Sequence, residues 1–400
     1  MARKKVLFIS GSIGLGHVIR DMAIANELRK ITPGVDVFWL AAHPACMPLI
    51  EAGEKLLDES NLLADDNVPA EEARKQGYQL SLFKYLQKAK GVWEQNVKVF
   101  QQVISKEHYD VVVADEAYEI AMALGEKRIQ MESCFVMIFD FFGLVAMNWN
   151  PMERLGTYLW NRQWAKTRDR YDGKQHVALF IGELEDIPDI SLGFMLPNRR
   201  ELAKQICKFV GYVFPFNPGD YVDRNEVRSK LGYGEEPLII CAVGGTSIGK
   251  ELLELCIKAH PLVKLRVPHL RMVLVCGPRI SPDTLQVPQG VEVKRYVPAL
   301  YEHFAACDLA VVQAGGTATL ELTALRRPFI YFPLEGHFEQ EVFVAGRLAR
   351  HQAGIKMKYS QTTPELLAET VINNIGTQSA CAVIPTDGSR KAAMVISNLL

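Results

Sequence analysis

The 400-residue sequence lacks the features that most directly assign a chain to a class. It has no CxxC pair, no low-complexity tract and no excess of one charge, because 45 basic residues accompany 46 acidic ones. Balanced charge argues against nucleic acid as the partner. The eight cysteines lie mostly within apolar runs, which predicts buried thiols in a reducing, cytoplasmic compartment.

A membrane-spanning segment is also missing from the sequence. The longest apolar stretch, CFVMIFDFFGLVAM, is interrupted by Asp140 and is shorter than the roughly 20 residues that a spanning helix needs. The start, MARKKVLFIS, faintly imitates a signal peptide, but its apolar run meets glycines at once. We therefore expect a first β-strand there and a protein without a transmembrane helix.

Short β-rich runs alternate with helical patterns through the whole chain. The first series is VLFIS, VDVFWLA, DVVVA, CFVMIF, VALFI and CKFVGYV; the second, after residue 236, is PLIICAV, RMVLVC, VEVKRYV, DLAVVQ, PFIYF and AGIKM. This rhythm is typical of parallel sheets covered by helices. The sequence thus predicts an α/β protein with two Rossmann-like parallel-sheet domains that face a central cleft.

Domain boundaries follow from composition. Two prolines and a glycine in VFPFNPGDY mark a linker between the two series. We predict an N-terminal domain over 1–214, a linker at 215–221, a C-terminal domain over 222–375, and a segment at 376–400 that could return to the N-terminal domain.

Three predicted strands end in glycine-rich turns that lead into helices: GSIGLGH after the first strand, and the two GGT turns in AVGGTSIGK and VVQAGGTATL. Glycine lets a phosphate approach the backbone N–H groups of a helix N-terminus, where the helix dipole favours negative charge. Each turn alone could equally be a tight βα connection. Two GGT turns in one half favour diphosphate binding.

Two common phosphate-binding folds are disfavoured. GSIGLG does not space its glycines as G-x-G-x-x-G, and the second strand ends in FWLAAHP without an acidic residue for a ribose hydroxyl, which argues against NAD. Gly249 and Lys250 are followed by glutamate instead of serine or threonine, which argues against a P-loop kinase.

The segments GSIGLGHVIRDMAIANELR, AVGGTSIG, QAGGTATLELTALRRPFIYFP and HFEQEVFVAGRL together resemble inverting nucleotide-sugar glycosyltransferases of the GT-B fold. The families that they resemble are the bacterial peptidoglycan N-acetylglucosaminyltransferases and the UDP-glucuronosyltransferases. The resemblance follows the whole chain but is specific only from about Val243 to Leu348. It implies a C-terminal donor domain, an N-terminal acceptor domain and no required cofactor or metal.

The resemblance also implies a UDP-sugar donor and the residues that bind it. The glycine turns would bind the diphosphate, Glu321 the ribose and the segment around Val297 the uracil edge, although Val297 could be sheet core instead. Helical spacing in HFEQEVFVAGRL predicts one apolar face of Phe338, Val342, Ala345 and Ala349. At the start of this helix His337, Glu339 and Gln340 would face the sugar, but Glu339-Gln340 departs from the family's Asp-Gln or Gln-Gln pair and leaves the hexose open. The diphosphate residues are Gly244, Gly245, Thr246, Gly315, Gly316 and Thr317, and Ser247 is a further donor-binding residue.

His17 follows the first glycine turn directly and is the predicted general base. An inverting transfer needs a group that takes the proton of the acceptor hydroxyl, and imidazole titrates in a suitable range. Gly14 and Gly16 would leave room for the acceptor. Asp115 is the predicted carboxylate partner, with Glu116 as substitute. The alternative is a histidine that caps a helix and an aspartate that begins the next one.

The acceptor is not identified by the sequence. Residues 141–170 combine three tryptophans with arginines and a lysine, which suits a lipid-like or aromatic acceptor or peripheral membrane contact, although a packing helix with a solvated face is the more common meaning. Two other functions stay open. A nucleotide-sugar epimerase would use the same architecture without an acceptor, and a non-catalytic sugar-nucleotide binding subunit would have no use for a base at His17.

Overall fold

The computed structural model describes residues 3–11, 14–75 and 78–400. Ser12 and Ile13 of the first glycine turn lie outside the described residues. Within the described part the strands are β1 (Lys5–Ser10), β2 (Asp36–Leu40), β3 (Arg74–Lys75), β4 (Gln79–Leu80), β5 (Val111–Asp115), β6 (Cys134–Phe139), β7 (His176–Ile181), β8 (Cys207–Gly211), β9 (Leu238–Ala242), β10 (Arg271–Val275), β11 (Val291–Lys294), β12 (Leu309–Gln313), β13 (Phe329–Phe332) and β14 (Ile355–Lys356).

The α-helices lie mostly in the connections between these strands. They are α1 (Gly16–Ile31), α2 (Cys46–Glu51), α3 (Asn67–Glu72), α4 (Leu82–Lys106), α5 (Tyr118–Gly125), α6 (Pro151–Ala165), α7 (Arg199–Ile206), α8 (Arg224–Leu231), α9 (Lys250–Lys264), α10 (Leu300–Ala306), α11 (Gly316–Ala324), α12 (Ala345–Arg350), α13 (Pro364–Asn374) and α14 (Gly388–Ser397). A π-helical stretch, Glu339–Val344, precedes α12.

The chain divides into two compact units. Unit 1 comprises residues 1–73, 82–215 and 385–400, and unit 2 comprises residues 74–81 and 216–384. This division differs from the predicted one in two places. Residues 74–81, predicted as part of the N-terminal domain, belong to unit 2. Residues 376–384 also belong to unit 2, so that only 385–400 of the C-terminal segment are part of unit 1.

The short segment 74–81 belongs to unit 2 because it is hydrogen-bonded there. Leu80 N–H donates to the Glu335 carbonyl (3.0 Å) and Glu335 N–H donates to the Tyr78 carbonyl (3.2 Å). The Tyr78 ring is buried and stacks on Tyr359 at a centroid distance of 4.9 Å. No periodicity in so short a segment could have predicted these pairings.

Unit 1 contains a parallel six-stranded sheet of order β2-β1-β5-β6-β7-β8. Its strands are almost wholly buried, because helices cover both faces of the sheet, and this explains their continuous apolar sequences. The strand order changes direction between β1 and β5, where Ser10 is paired with Asp115. The carboxyl ends of strands at such a switch point form the usual ligand crevice of open α/β sheets.

Helix α14 completes the core of unit 1. It packs on α1, and its Ala392, Ala393 and Ile396 are fully buried in the same apolar cluster as Phe8 and Trp39. A Cβ on Gly388 would lie 2.3 Å from the Tyr212 carbonyl oxygen, so only glycine fits where this helix begins.

Unit 2 contains a second parallel six-stranded sheet, of order β11-β10-β9-β12-β13-β14. In the numbering of this unit alone the order is 3-2-1-4-5-6, which is the Rossmann order. Its switch point lies between β9 and β12, the two strands that the GGT turns follow. Each predicted apolar run of both series forms a strand, and the predicted α/β class with two parallel-sheet domains is confirmed. Among the described residues, no helix has the length and apolarity to span a bilayer.

Candidate functional site

His17 lies in the first turn of α1, at the carboxyl edge of the unit 1 sheet. The chain reaches it through Gly14, whose φ of +85° favours glycine and whose N–H donates to the Asn67 side-chain oxygen (3.3 Å). Gly16 is the first residue of α1. The His17 side chain is 17% exposed, so its ring can be reached from solvent.

Asp115 and Glu116 meet His17 at the switch point. His17 Nδ1 lies 3.4 Å from Asp115 Oδ2, and His17 Nε2 lies 4.0 Å from Glu116 Oε2. The structure therefore brings the predicted base close to both predicted carboxylates. Glu116 has a φ of +53°, an uncommon conformation for a non-glycine residue that is found at functional sites more often than elsewhere.

Arg20, which the sequence did not predict as a site residue, is buried at the centre of this group. Its guanidinium donates to both oxygens of Asp115 (2.6 and 2.5 Å) and to Asp140 Oδ2 (2.7 Å). Its Nη2 also lies 2.8 Å from His17 Nδ1. Two signals could have identified these residues: Arg20 is three positions after His17 on one helix, and Asp140 follows its strand as Glu116 follows β5.

The charges of the group stabilise one another. Burial opposes ionisation of Asp115, but Arg20 and His17 outweigh it and lower its pKa. The same balance between burial and Arg20 lowers the pKa of Asp140. Asp21, fully buried beside Asp115, has a raised pKa because of its burial and of the Asp115 charge, and it accepts a hydrogen bond from Ser10. We conclude that Asp115 and Asp140 are ionised near neutral pH.

Three ligand atoms of this group could also hold a metal ion. One atom each of His17, Glu116 and Asp140 lies within 4.8 Å of the others. The donor set, one nitrogen and two carboxylate oxygens, is one that divalent transition metals accept. However, the Arg20 guanidinium already occupies Asp140 Oδ2 and faces His17 Nδ1. A cation is thus present in the protein itself.

In unit 2, Gly244, Gly245, Thr246 and Ser247 follow β9 as predicted and lead to α9. The Thr246 hydroxyl oxygen accepts from Ile248 N–H (3.2 Å), which closes the turn. The loop after β10 packs closely against this turn, since a Cβ on Gly277 would lie 2.5 Å from the Gly244 carbonyl oxygen. The turn is therefore held by the Thr246 hydroxyl and by the close approach of the Gly277 backbone.

Gly315, Gly316 and Thr317 begin α11, directly after β12. Gly315 is the N-cap and makes no side-chain capping bond, and the first turn of the helix carries no acidic residue. Arg347, which sequence analysis did not select, approaches this turn: a Cβ on Gly316 would lie 3.5 Å from its Nη2. A helix N-terminus beside a buried guanidinium favours an anion.

Glu321 and Val297 have different surroundings. Glu321 is buried, and this burial raises its pKa to about 8, so the carboxyl group is largely protonated at neutral pH. Val297 is half-buried against the core of unit 2. Its side chain packs as a core residue would, which leaves only its backbone for recognition of a base.

The segment from His337 to Gln340 differs from the predicted helix start. The predicted apolar face, Phe338, Val342, Ala345 and Ala349, is only partly correct: Ala349 is exposed, whereas Phe343 and Val344 are buried. The reason is the π-helical geometry of Glu339–Val344, which changes the spacing of inward positions.

The polar side chains of this segment accordingly have separate roles. Gln340 points inward, where its Oε1 accepts from Leu334 N–H (2.8 Å), and Glu341 accepts from Gly336 N–H (2.6 Å). His337 and Glu339 are partly exposed, with His337 Nε2 4.0 Å from Glu339 Oε2. Of the three predicted sugar ligands, His337 and Glu339 are therefore the accessible ones.

Residues 239–380, almost all of the unit 2 sheet and its helices, match a family model described as the glycosyltransferase family 28 C-terminal domain. Unit 2 is therefore similar to the C-terminal domain of glycosyltransferase family 28. Its two GGT turns, at the ends of β9 and β12, are the turns that the resemblance had singled out.

Two relatives extend this result. A UDP-N-acetylglucosamine–N-acetylmuramyl-(pentapeptide) pyrophosphoryl-undecaprenol N-acetylglucosamine transferase of Carboxydothermus hydrogenoformans is 27% identical over 158 residues, which cover 38% of this chain and 42% of the relative. The chain thus spans less than half of that protein. A lipid-A-disaccharide synthase of Azotobacter vinelandii is 26% identical over 351 residues, 70% of this chain and 90% of the relative.

A solved structure shares the fold of the chain. MurG of Acinetobacter baumannii superimposes with a TM-score of 0.52 and 18% identity, and the comparison covers 99% of each chain. Together with the family 28 match and the relatives above, this confirms the GT-B fold and the predicted relationship to the peptidoglycan N-acetylglucosaminyltransferases.

Proposed function

We propose that this protein is an inverting glycosyltransferase that moves a hexose from a nucleotide sugar to a hydroxyl acceptor, with His17 as the general base. One observation carries the proposal: a partly exposed imidazole lies at the switch point of unit 1 within a group of buried, ionised carboxylates. Such surroundings stabilise the imidazolium that forms when the ring takes a proton.

The donor would be bound by unit 2. Its two GGT turns lead into helix N-termini at the switch point of the sheet, and Arg347 adds a positive charge beside Gly316. Because the leaving nucleoside diphosphate gains charge as the glycosidic bond breaks, these donors would stabilise the transition state more than the bound substrate. We take the nucleotide to be UDP, with Glu321 accepting the ribose hydroxyls.

The proposed reaction is a single displacement. His17 Nε2 takes the proton of the acceptor hydroxyl while the acceptor oxygen forms a bond to the anomeric carbon. The bond from that carbon to the diphosphate oxygen breaks, and UDP leaves with its electron pair. The configuration at the anomeric carbon is inverted. His337 and Glu339 would hydrogen-bond the hydroxyl groups of the hexose.

We further propose that transfer needs no metal ion. The positive charges at the two sites come from Arg20 in unit 1 and Arg347 in unit 2, both buried. A chelator should therefore leave the rate unchanged. If transfer did depend on a metal ion held by His17, Glu116 and Asp140, the chelator would remove that ion and lower the rate.

The first experiment identifies the donor. UDP-, GDP- and TDP-sugars are screened by thermal shift, and the best ligand is used to compare the wild type with His17→Ala, with exposed His108→Ala as the matched control. We expect His17→Ala to lower transfer at least 100-fold and to leave UDP affinity within about two-fold. The control should behave as the wild type.

Other outcomes separate the alternatives. Formation of an epimeric nucleotide sugar without an acceptor would show an epimerase. Tight UDP-sugar binding with no turnover on any hydroxyl acceptor would show a binding subunit. A product whose anomeric configuration matches the donor, determined by proton NMR, would overturn the inverting mechanism.

A surface of unit 1 supports a lipid-like acceptor. On α6, Met152, Leu155 and Leu159 are exposed, and Trp149 just before it is 85% exposed. A loop that packs on α6 adds exposed apolar side chains: a Cβ on Gly193 would lie 2.9 Å from the Tyr158 ring, and the loop continues into Phe194 and Met195, 81% and 87% exposed.

The exposed charges of residues 149–168 are of one sign. Arg154, Arg162, Lys166 and Arg168 are exposed, whereas Glu153, the acidic residue within 149–168, is buried. Arg154 lies over the Trp149 ring at 4.7 Å. Exposed apolar side chains ringed by cations are typical of proteins that rest on anionic lipid. We therefore propose that α6 and residues 193–195 contact an anionic membrane on which the acceptor is presented.

Vesicle co-sedimentation tests this contact. We expect binding to vesicles with anionic lipid, weaker binding to neutral phosphatidylcholine vesicles, and at least a ten-fold loss in a Leu155→Ser, Phe194→Ser variant. Val383→Ser, which changes an equally exposed apolar residue of unit 2, serves as the control. Equal loss in both variants, or no binding by the wild type, would contradict the proposed membrane contact.

A further inference from the structure

Arg20 determines which hydrogen bond His17 Nδ1 makes. Its Nη2 lies 2.8 Å from His17 Nδ1, while the nearest oxygen of Asp115 is 3.4 Å from the same nitrogen. The guanidinium is fixed in place because Asp115 binds it through two hydrogen bonds and Asp140 through a third. A bidentate pair of this kind has little rotational freedom.

This contact decides where the ring carries its proton. A guanidinium has only N–H donors and does not give up its proton in proteins. His17 Nδ1 must therefore accept the hydrogen bond, so the neutral ring carries its proton on Nε2. That is the opposite of the tautomer in which a carboxylate accepts from Nδ1–H and leaves Nε2 free.

We propose that Arg20 is a positioning residue that holds resting His17 as the Nε2–H tautomer, and that His17 becomes a base only when Nδ1 changes its partner from Arg20 to Asp115. The second part rests on the proposed function; the first part concerns the free protein alone. In the change, Nε2 gives its proton to water and Nδ1 takes a proton from water, so the ring stays neutral and no net proton is taken up or released.

The geometry makes such an exchange possible without moving the backbone. Asp115 Oδ2 accepts from Arg20 Nε and has a second lone pair. It lies 3.4 Å from His17 Nδ1, which is 0.6 Å farther than Arg20 Nη2 at 2.8 Å. Glu116 Oε2 lies 4.0 Å from Nε2, where it favours a proton on that nitrogen. Arg20 and Glu116 thus stabilise the same resting tautomer from the two ends of the ring.

Nitrogen NMR of the full-length protein measures the tautomer directly. Histidine is labelled with ¹⁵N, and the His17 signals are assigned by their loss in His17→Gln. In the ligand-free wild type, above the pH at which the ring is protonated, we expect Nδ1 to resonate as an unprotonated nitrogen and Nε2 as a protonated one. The reverse pattern would overturn the proposal without any variant.

Substitution of Arg20 tests its role. In Arg20→Met we expect Nδ1 to become protonated and to show a downfield, slowly exchanging proton, because Asp115 is then its partner. Arg20→Lys retains a positive charge and is the second variant if Arg20→Met does not fold; we expect a mixture of the two tautomers. A folded variant that keeps the wild-type pattern would overturn the role of Arg20.

The NMR experiment distinguishes this proposal from the proposed function. It uses no substrate, so the expected tautomers could be found in a protein that transfers no sugar, in which case only the glycosyltransferase proposal fails. Conversely, an active enzyme whose resting His17 is protonated on Nδ1 would keep its function and refute the role of Arg20.

Discussion

The two candidate sites are built in opposite ways. In unit 1 the site consists of charged side chains: buried Arg20 connects Asp115, Asp140 and partly exposed His17 in one network. In unit 2, the turns after β9 and β12 rely on glycine, backbone N–H groups and helix N-termini. A network of side chains can hold and move a proton, whereas bare backbone leaves space for a ligand to enter. The difference corresponds to the roles proposed for the two units.

Removal of Arg20 tests the charged network of unit 1 most severely. Arg20→Met leaves Asp115 and Asp140 buried without their cation, and we expect a loss of about 3–5 kcal/mol at neutral pH in urea unfolding. Arg29→Met is the control, because its paired guanidinium is 35% exposed; its loss should stay below about 1 kcal/mol. Equal losses would contradict the account of the network.

The pH dependence of that loss gives a second check. The folded-state pKa values of Asp115 and Asp140 are lowered, so their stabilising contribution is present above the unfolded-state pKa, near 4, and is lost as pH falls. The difference in stability between the wild type and Arg20→Met should therefore shrink below about pH 4.

The backbone construction of unit 2 is tested by adding a single methyl group. Gly277→Ala would place Cβ 2.5 Å from the Gly244 carbonyl oxygen at a φ of +77°. We expect a loss of more than about 2 kcal/mol in stability, and weaker UDP binding by calorimetry, because the Gly244 turn must move. Gly232→Ala, at +74° with nothing within 4 Å, isolates the backbone strain, about 1–2 kcal/mol. Similar effects of both changes would contradict the packing argument.

Two neighbouring residues of the π-helical stretch offer a finer comparison. Gln340→Ala removes the acceptor of buried Leu334 N–H and should cost about 1–3 kcal/mol in thermal unfolding. Glu339→Ala changes a side chain that is 26% exposed and should hardly alter stability, but it should weaken binding of the sugar nucleotide relative to UDP. A stability loss in Glu339→Ala as large as in Gln340→Ala would contradict these separate roles.

Glu321 provides a test with the opposite pH dependence to Asp115. Its folded-state pKa, about 8, lies above its unfolded value, so it costs stability as pH rises from about 5 to 8. Glu321→Gln should gain on the wild type over that range, by at most about 1.4 kcal/mol per pH unit. A constant difference between the two proteins would show that Glu321 is not titrating there.

The comparison also explains what could be predicted from the sequence. Strands buried on both faces leave continuous apolar runs, and glycine turns follow them directly, so the two sheets and the GGT turns were accessible to prediction. Arg20 was not, because an arginine on a helix is usually solvated, and its partners lie 95 and 120 residues away in the chain. Its burial depends on tertiary structure that no local pattern contains.

The other differences have local causes. The inward face of residues 338–349 was predicted with the period of an α-helix, and the π-helical turn changes that period. The segment 74–81 is too short for a periodic signal, and its pairing with Glu335 depends on backbone groups alone. Roles that depend on hydrogen bonds between distant residues were thus the least predictable.

The return of α14 to unit 1 has a consequence for how the protein is made. On the ribosome, residues 216–384 of unit 2 are synthesised before this helix. The core of unit 1 is therefore incomplete while roughly 170 residues are added. At about 5–20 residues per second this delay is on the order of ten seconds or more. During that time the surface of α1 that α14 later covers is open to chaperones.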